Sequence, residues 1–155
     1  MKWVALIAMA AGMAHSSEPG GKAELQFRSD AKAICEHQST KRGSFDQEAF
    51  NFCIKQQGDA YSRIEWANST LGSKEFYRVF IYPYCYKRGT KRDVSDSSSI
   101  AYCIKDEVDA FEDVVYFAKK YDEEKVMNIA YAQMRRFGAW RMASYELKRT
   151  FEPSP

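Results

Sequence analysis

Apolar positions recur along most of this chain at the three- and four-residue spacing of a helix face, and polar clusters cut that periodicity into segments. Leu25, Ala31, Ile34 and Cys35 lie about one or two turns apart, which predicts a helix over residues 23–38. Residues 39–44 read as a short polar loop containing a glycine. A second helix is expected from Ser44, with Gln47 at capping-box spacing and Asp46 in the first turn. Its apolar or small positions are 45, 49, 52, 53, 60, 64 and 67, and residues 68–73 end it. A cluster at residues 95–98 starts another long helix, with a face drawn by Ile100, Ile104, Val108, Phe111, Val115 and Ala118. Residues 76–86 are ambiguous. Their aromatic and β-branched side chains suit a strand, and Pro83 would kink a helix. Analogy with the first segment favours a helix there. Val126, Ile129, Ala130, Phe137 and Trp140 form a last apolar stripe, expected to dock residues 125–149 on the acidic helix that begins near Ser97.

The pattern repeats. Cysteines at 35, 53, 85 and 103 are separated by 18, 32 and 18 residues, and residues 34–61 laid on 84–111 share 10 of 28 positions. Unrelated segments would share about two from composition alone. A fixed period of this kind marks a duplicated supersecondary unit. A third, cysteine-free unit is expected over residues 122–152, after units at 23–70 and 71–121. There Tyr145-Glu146-Leu147-Lys148 stands like Phe52-Cys53-Ile54-Lys55 and Tyr102-Cys103-Ile104-Lys105. Arg135-Arg136 takes the place of the upstream basic pairs, and Glu152 that of Asp59 and Asp109. The expected fold class is all-α: tandem helical hairpins, two of them disulfide-stapled, in a single domain over 23–155.

The third unit also argues connectivity. Glu146 replaces its second cysteine and the first is missing near Asn128, and the joint loss is what a bridge within each unit predicts. Residues flanking the short loop of a helical hairpin can also approach within bridging distance. The pairing expected is therefore Cys35–Cys53 and Cys85–Cys103.

The beginning of the chain bears on compartment. Residues 1–14 have the form of a cleaved signal peptide, with Lys2 before an apolar stretch and Gly12-Met13-Ala14 before the cut. The run is little more than half the roughly 20 residues a membrane span needs. Residues 15–22 read as a flexible leader. An even cysteine count behind such a segment indicates disulfides and an exported protein, periplasmic or secreted. The net charge of +2 falls to about +1 once Lys2 is removed, which offers no electrostatic footprint for nucleic acid.

Candidate chemistry is sparse. Cys35 and His37 lack the paired short spacings of a zinc site, and two histidines, His15 and His37, announce no triad. No catalytic residue, metal or cofactor is therefore expected. Asp59 and Asp109 recur at one unit position, as the paired acids of a glycosidase would, but repeated acids on a helix flank more often serve lysines of a neighbouring helix. The strongest binding candidates are Lys41, Arg42, Lys91 and Arg92, a basic pair retained in the same loop of both units. They would meet an acidic sugar, a phosphate head group or an acidic protein. The basic-aromatic stretch over residues 134–149 suits either an anionic membrane surface or packing on the preceding helix. Asn68-Ser69-Thr70 matches a glycosylation acceptor and is read as incidental.

The run Cys, seventeen residues, aromatic-Cys-Ile-Lys, then Asp-Ala resembles that of small exported bacterial proteins with helical cysteine-pair units. That resemblance covers about residues 34–111 and supplies no activity. Paired cysteines in a small helical secreted chain are also similar to periplasmic lysozyme-inhibitor-like helical domains, whose signature residues have no counterparts here. The expected function is a non-catalytic exported binding protein, for example an inhibitor of a cell-wall enzyme. The alternative is an envelope-associated structural protein that uses its basic-aromatic C-terminal helix.

Overall fold

The computed structural model describes residues 22–153; the signal-peptide reading and nearly all of the leader lie outside them. Helix α1 (Lys22–Ser39) buries Asp30, Ala31, Cys35 and Ser39 on one face, and carries the pairs Glu24–Arg28 and Lys32–Glu36 on its outer side. Its connection to the next helix is tighter than a loop. Strands β1 (Thr40–Lys41) and β2 (Ser44–Phe45) form a hairpin turning on Arg42 and Gly43, both at positive φ (52° and 82°) as a type I′ turn requires. The Asp46 N–H then donates to the Ser39 carbonyl (2.9 Å), closing the hairpin against the helix end.

Helix α2 (Gln47–Leu71) is capped by Asp46, whose carboxylate accepts from the Ala49 N–H (3.0 Å). The expected cap at Ser44 is therefore corrected: Ser44 is held in β2, and the aspartate two residues on has the extended backbone a cap needs. The second unit has the same plan. Residues 76–86 are helical. A π-helical turn (Phe76–Ile81) leads directly into α3 (Tyr82–Gly89), whose first turn holds Pro83. The proline ring would collide with the carbonyl four residues back in a regular helix, and a widened turn makes room for it.

Strands β3 (Thr90–Lys91) and β4 (Val94–Ser95) repeat the hairpin, with Arg92 and Asp93 at φ 51° and 62°, and Asp96 caps α4 (Ser97–Lys120) through the Ser98 and Ser99 N–H groups. Both bridges lie within a unit, Cys35–Cys53 and Cys85–Cys103, at Cα separations of 5.6 and 5.5 Å. No cysteine is free.

The C-terminal stretch is two helices, α5 (Glu123–Phe137) and α6 (Trp140–Phe151), divided by Gly138 in the left-handed region. Both pack on α4, as the apolar stripe predicts, with Val126, Ala130 and Trp140 buried. Phe137 is the exception. It sits at the helix end, 43% exposed, with the Arg136 guanidinium over its ring. This third hairpin has no β-strands, so Arg135-Arg136 lies in the last turn of α5 rather than on a hairpin tip.

The fold is thus all-α, built from two disulfide-stapled helical hairpins and a cysteine-free one. Helices α2, α4 and α6 lie side by side, with α4 in the centre. Its buried face runs through Ile100, Ile104, Glu107, Ala110, Val114 and Phe117. Beyond Ile104 this is rotated from the expected face: Val108, Phe111 and Ala118 are only partly buried, because α4 must meet neighbours on three sides.

Candidate functional site

One contact recurs between consecutive units. Gln57 in α2 accepts from the Ser97 N–H at the start of α4 (3.0 Å), and its amide donates to Asp96 (2.9 Å). Glu107, fifty positions on, accepts from the Trp140 N–H at the start of α6 (2.6 Å) and from the Arg141 N–H (3.4 Å). Each acceptor satisfies a backbone donor that a helix N-terminus leaves open. It also sets the stagger: α4 begins beside the eleventh residue of α2, and α6 beside the eleventh residue of α4. Burial pushes the Glu107 carboxyl above its ordinary range, although the two N–H groups and Arg141 oppose that. Burial acts on Asp96 in the same sense, but there hydrogen bonds from Gln57, Ser99 and the Ser98 N–H outweigh it and hold the carboxyl low.

The stagger opens a groove of about 830 Å³ between α2 and α4. Small and branched apolar side chains, among them Ala60, Ala67, Ala101 and Ile104, form its floor. Phe52, Trp66 and Tyr102 stand around it, 63%, 65% and 68% exposed. Among the described residues none of the three takes part in a ring–ring or cation–π contact, whereas Phe76, Phe111 and Trp140 pack ring against ring beside α4. Lys55, Gln56, Asp59, Arg63, Lys105 and Asp109 supply polar groups along the same groove. Lys105 pairs with Asp109 on its own helix, and Lys55, Asp59 and Arg63 have no ion-pair partner among the described residues.

The site residues expected from sequence divide between staple and tip. Cys35, Cys53, Cys85 and Cys103 lock the hairpins. Lys41, Arg42, Lys91 and Arg92 are all exposed on the two β-hairpins, and none forms a salt bridge among the described residues. The hairpins precede α2 and α4 directly, so the basic tips stand at the N-terminal ends of the two helices that wall the groove. The second hairpin is also pinned to the first unit, where Asp30 accepts from the Ser95 N–H (3.0 Å). Asp59 and Asp109 both face the groove. His37 is exposed at the end of α1, and His15 lies outside the described residues. Among the described residues no group of three or more His, Cys, Asp or Glu side chains is gathered to hold a metal. The Asn68 side chain is engaged, accepting from the Tyr77 hydroxyl (2.7 Å).

The groove was not singled out from the sequence. The signal for it was present: an aromatic residue directly before each second cysteine, a lysine three positions on, and Tyr145 and Lys148 in the same places of the third unit. Tyr145 is 63% exposed too, so that position faces solvent in all three hairpins. No family model, curated protein or solved structure matches this chain. Among the described residues no helix is long and apolar enough to cross a membrane. Two formed disulfides are the usage of an oxidising, extracytoplasmic compartment.

Proposed function

We propose that this chain is a non-catalytic binding protein exported to the periplasm or secreted, and that its contact face is the α2/α4 groove together with the basic hairpin tips beside it. The observation that carries this reading is the groove itself, where three unpartnered aromatic rings stand over an apolar floor. Solvent-exposed aromatics grouped around a concavity are uncommon on a surface with no partner. The signal-like N-terminus and the absence of free thiols support export. A retained Lys-Arg pair on both tips supports an anionic partner. Inhibition of a cell-wall enzyme is one form such binding would take.

The test is retention of an envelope component by the immobilised protein. Charge reversal of Lys41, Arg42, Lys91 and Arg92, or Trp66→Ala with Tyr102→Ala, should abolish that retention while leaving the circular dichroism unchanged. Retention that survives both variants would sink the reading. The structural alternative has less support, because the apolar faces of α5 and α6 are occupied: Val126, Ala130, Trp140, Ala143 and Leu147 are all buried. A helix that lies on a membrane needs that face outward.

A further inference from the structure

We propose that the α2/α4 groove binds a linear, carboxylate-bearing oligosaccharide, an inference that rests on the binding reading above and names its ligand class. Phe52 and Trp66 are fourteen positions apart on α2, so the groove is about 21 Å long at 1.5 Å per residue. Its volume is about 830 Å³. A linear chain can follow that length.

Of such chains, an extended peptide would bring a row of backbone donors and acceptors to walls that are helices, with no strand edge among them to pair with. An acyl chain would make no use of Gln56, Asp59 and Arg63. A sugar ring has the matching anatomy. Its C–H faces are apolar and lie against the aromatic rings and the alanine floor. Its hydroxyls radiate from the ring edge toward the rims, where carboxylate, amide and guanidinium groups accept and donate. Charge fixes the substituent. Lys55, Arg63 and Lys105 stand against Asp59 and Asp109, a rim one charge positive, and the tips at its N-terminal side add Lys41, Arg42, Lys91 and Arg92 against Asp93. Carboxylates on the glycan answer that excess.

The experiment titrates the full exported chain with two probes: peptide-free glycan strands carrying a carboxylate on alternate rings, and a neutral chito-oligosaccharide of equal length. Trp66 is exposed and Trp140 is 3% exposed, so intrinsic fluorescence reports the groove. Both probes should shift the emission, the acidic one binding more tightly. Tyr102→Ala should weaken both by about tenfold or more, as loss of an aromatic contact implies. Lys55→Glu with Arg63→Glu should weaken the acidic probe much more than the neutral one. Melting curves confirm that these surface variants fold. Failure of both probes to bind at millimolar concentration would overturn the proposal, as would binding that Tyr102→Ala leaves intact. If a protein from the envelope is retained through Trp66 and Tyr102 while neither glycan binds, the glycan proposal falls and the binding reading stands.

Discussion

Gln57 and Glu107 do the same work with different chemistry, and the difference is measurable. Each accepts a backbone N–H at the start of the next second helix, but only Glu107 can be charged. Its carboxyl is raised above the ordinary value by burial, so folding favours the neutral acid. That contribution to stability is complete below the unfolded value, about 4.3, and is lost as pH rises through the folded one. Asp113 has the opposite sign. Burial pushes it up, but Lys148 and Ser144 outweigh that and hold it low, so its contribution is present above about 3.9 and lost as pH falls through the folded value. Glu107→Gln should keep the acceptor, flatten the stability profile just above about pH 4.3, and be at least as stable as the parent at neutral pH. Glu107→Ala should lose about 1–3 kcal/mol by leaving the Trp140 N–H unpaired. Chemical denaturation across pH separates the two; a Gln variant as unstable as the Ala variant would show that the charge itself is required.

Gly89 makes a second residue-level case. A Cβ there would sit 2.3 Å from Ile100 Cγ1, so α3 and α4 approach as closely as they do only because that atom is missing. Gly89→Ala should cost about 1–3 kcal/mol, the usual penalty for overpacking, read as a lowered denaturation midpoint. The counterpart in the first unit is Ser39, itself buried, where Phe50 takes the position of Ile100 and is only partly buried.

Among elements, the β-hairpin is the least expected from sequence. The Thr-Lys-Arg run signals a turn, but Arg42 and Arg92 are poor type I′ residues, and only Gly43 and, less well, Asp93 suit their positions. What holds both tips is the hydrogen bond from each N-cap aspartate N–H back to the end of the preceding helix, a contact that no local pattern announces. The helices and the cysteine pairing were legible, because periodicity and the spacing of 18 constrain them directly. The π turn before Pro83 and the rotation of the α4 face were not, since both depend on neighbours. The α2/α4 groove was not either, because the inter-unit stagger that opens it is set by Gln57 reaching a helix start forty positions away. A non-glycine residue kept at positive φ carries a cost on the order of 1 kcal/mol. Arg42→Asn and Arg92→Asn should therefore raise the melting temperature while weakening retention of an anionic partner. A fall in both would assign the arginines to structure alone. Removing Cys85 and Cys103 together should lower stability by about 3 kcal/mol, the loop-closure value for a loop of this length.

At the scale of the molecule, α4 is the shared wall of all three hairpins, so removing either flank should be felt throughout. Truncation after Tyr121 deletes α5 and α6. It exposes Val114 and Phe117, now 1% exposed each, and takes away the two N–H groups that Glu107 accepts from. Leu147, Trp140 and Val126 alone bury enough apolar surface to contribute several kcal/mol. The charged contacts across the same interface, Lys148–Asp113 at 2.6 Å and Lys120–Glu152 at 2.5 Å, lie about half in solvent, where screening and side-chain entropy leave an ion pair weak. Packing therefore decides the docking. The truncated chain should melt markedly lower, and raising the salt concentration should change the parent's melting temperature little. An unchanged melting temperature after truncation would show that α5 and α6 form an independent arm. A strong salt dependence in the parent would instead place the stability of the array in its ion pairs.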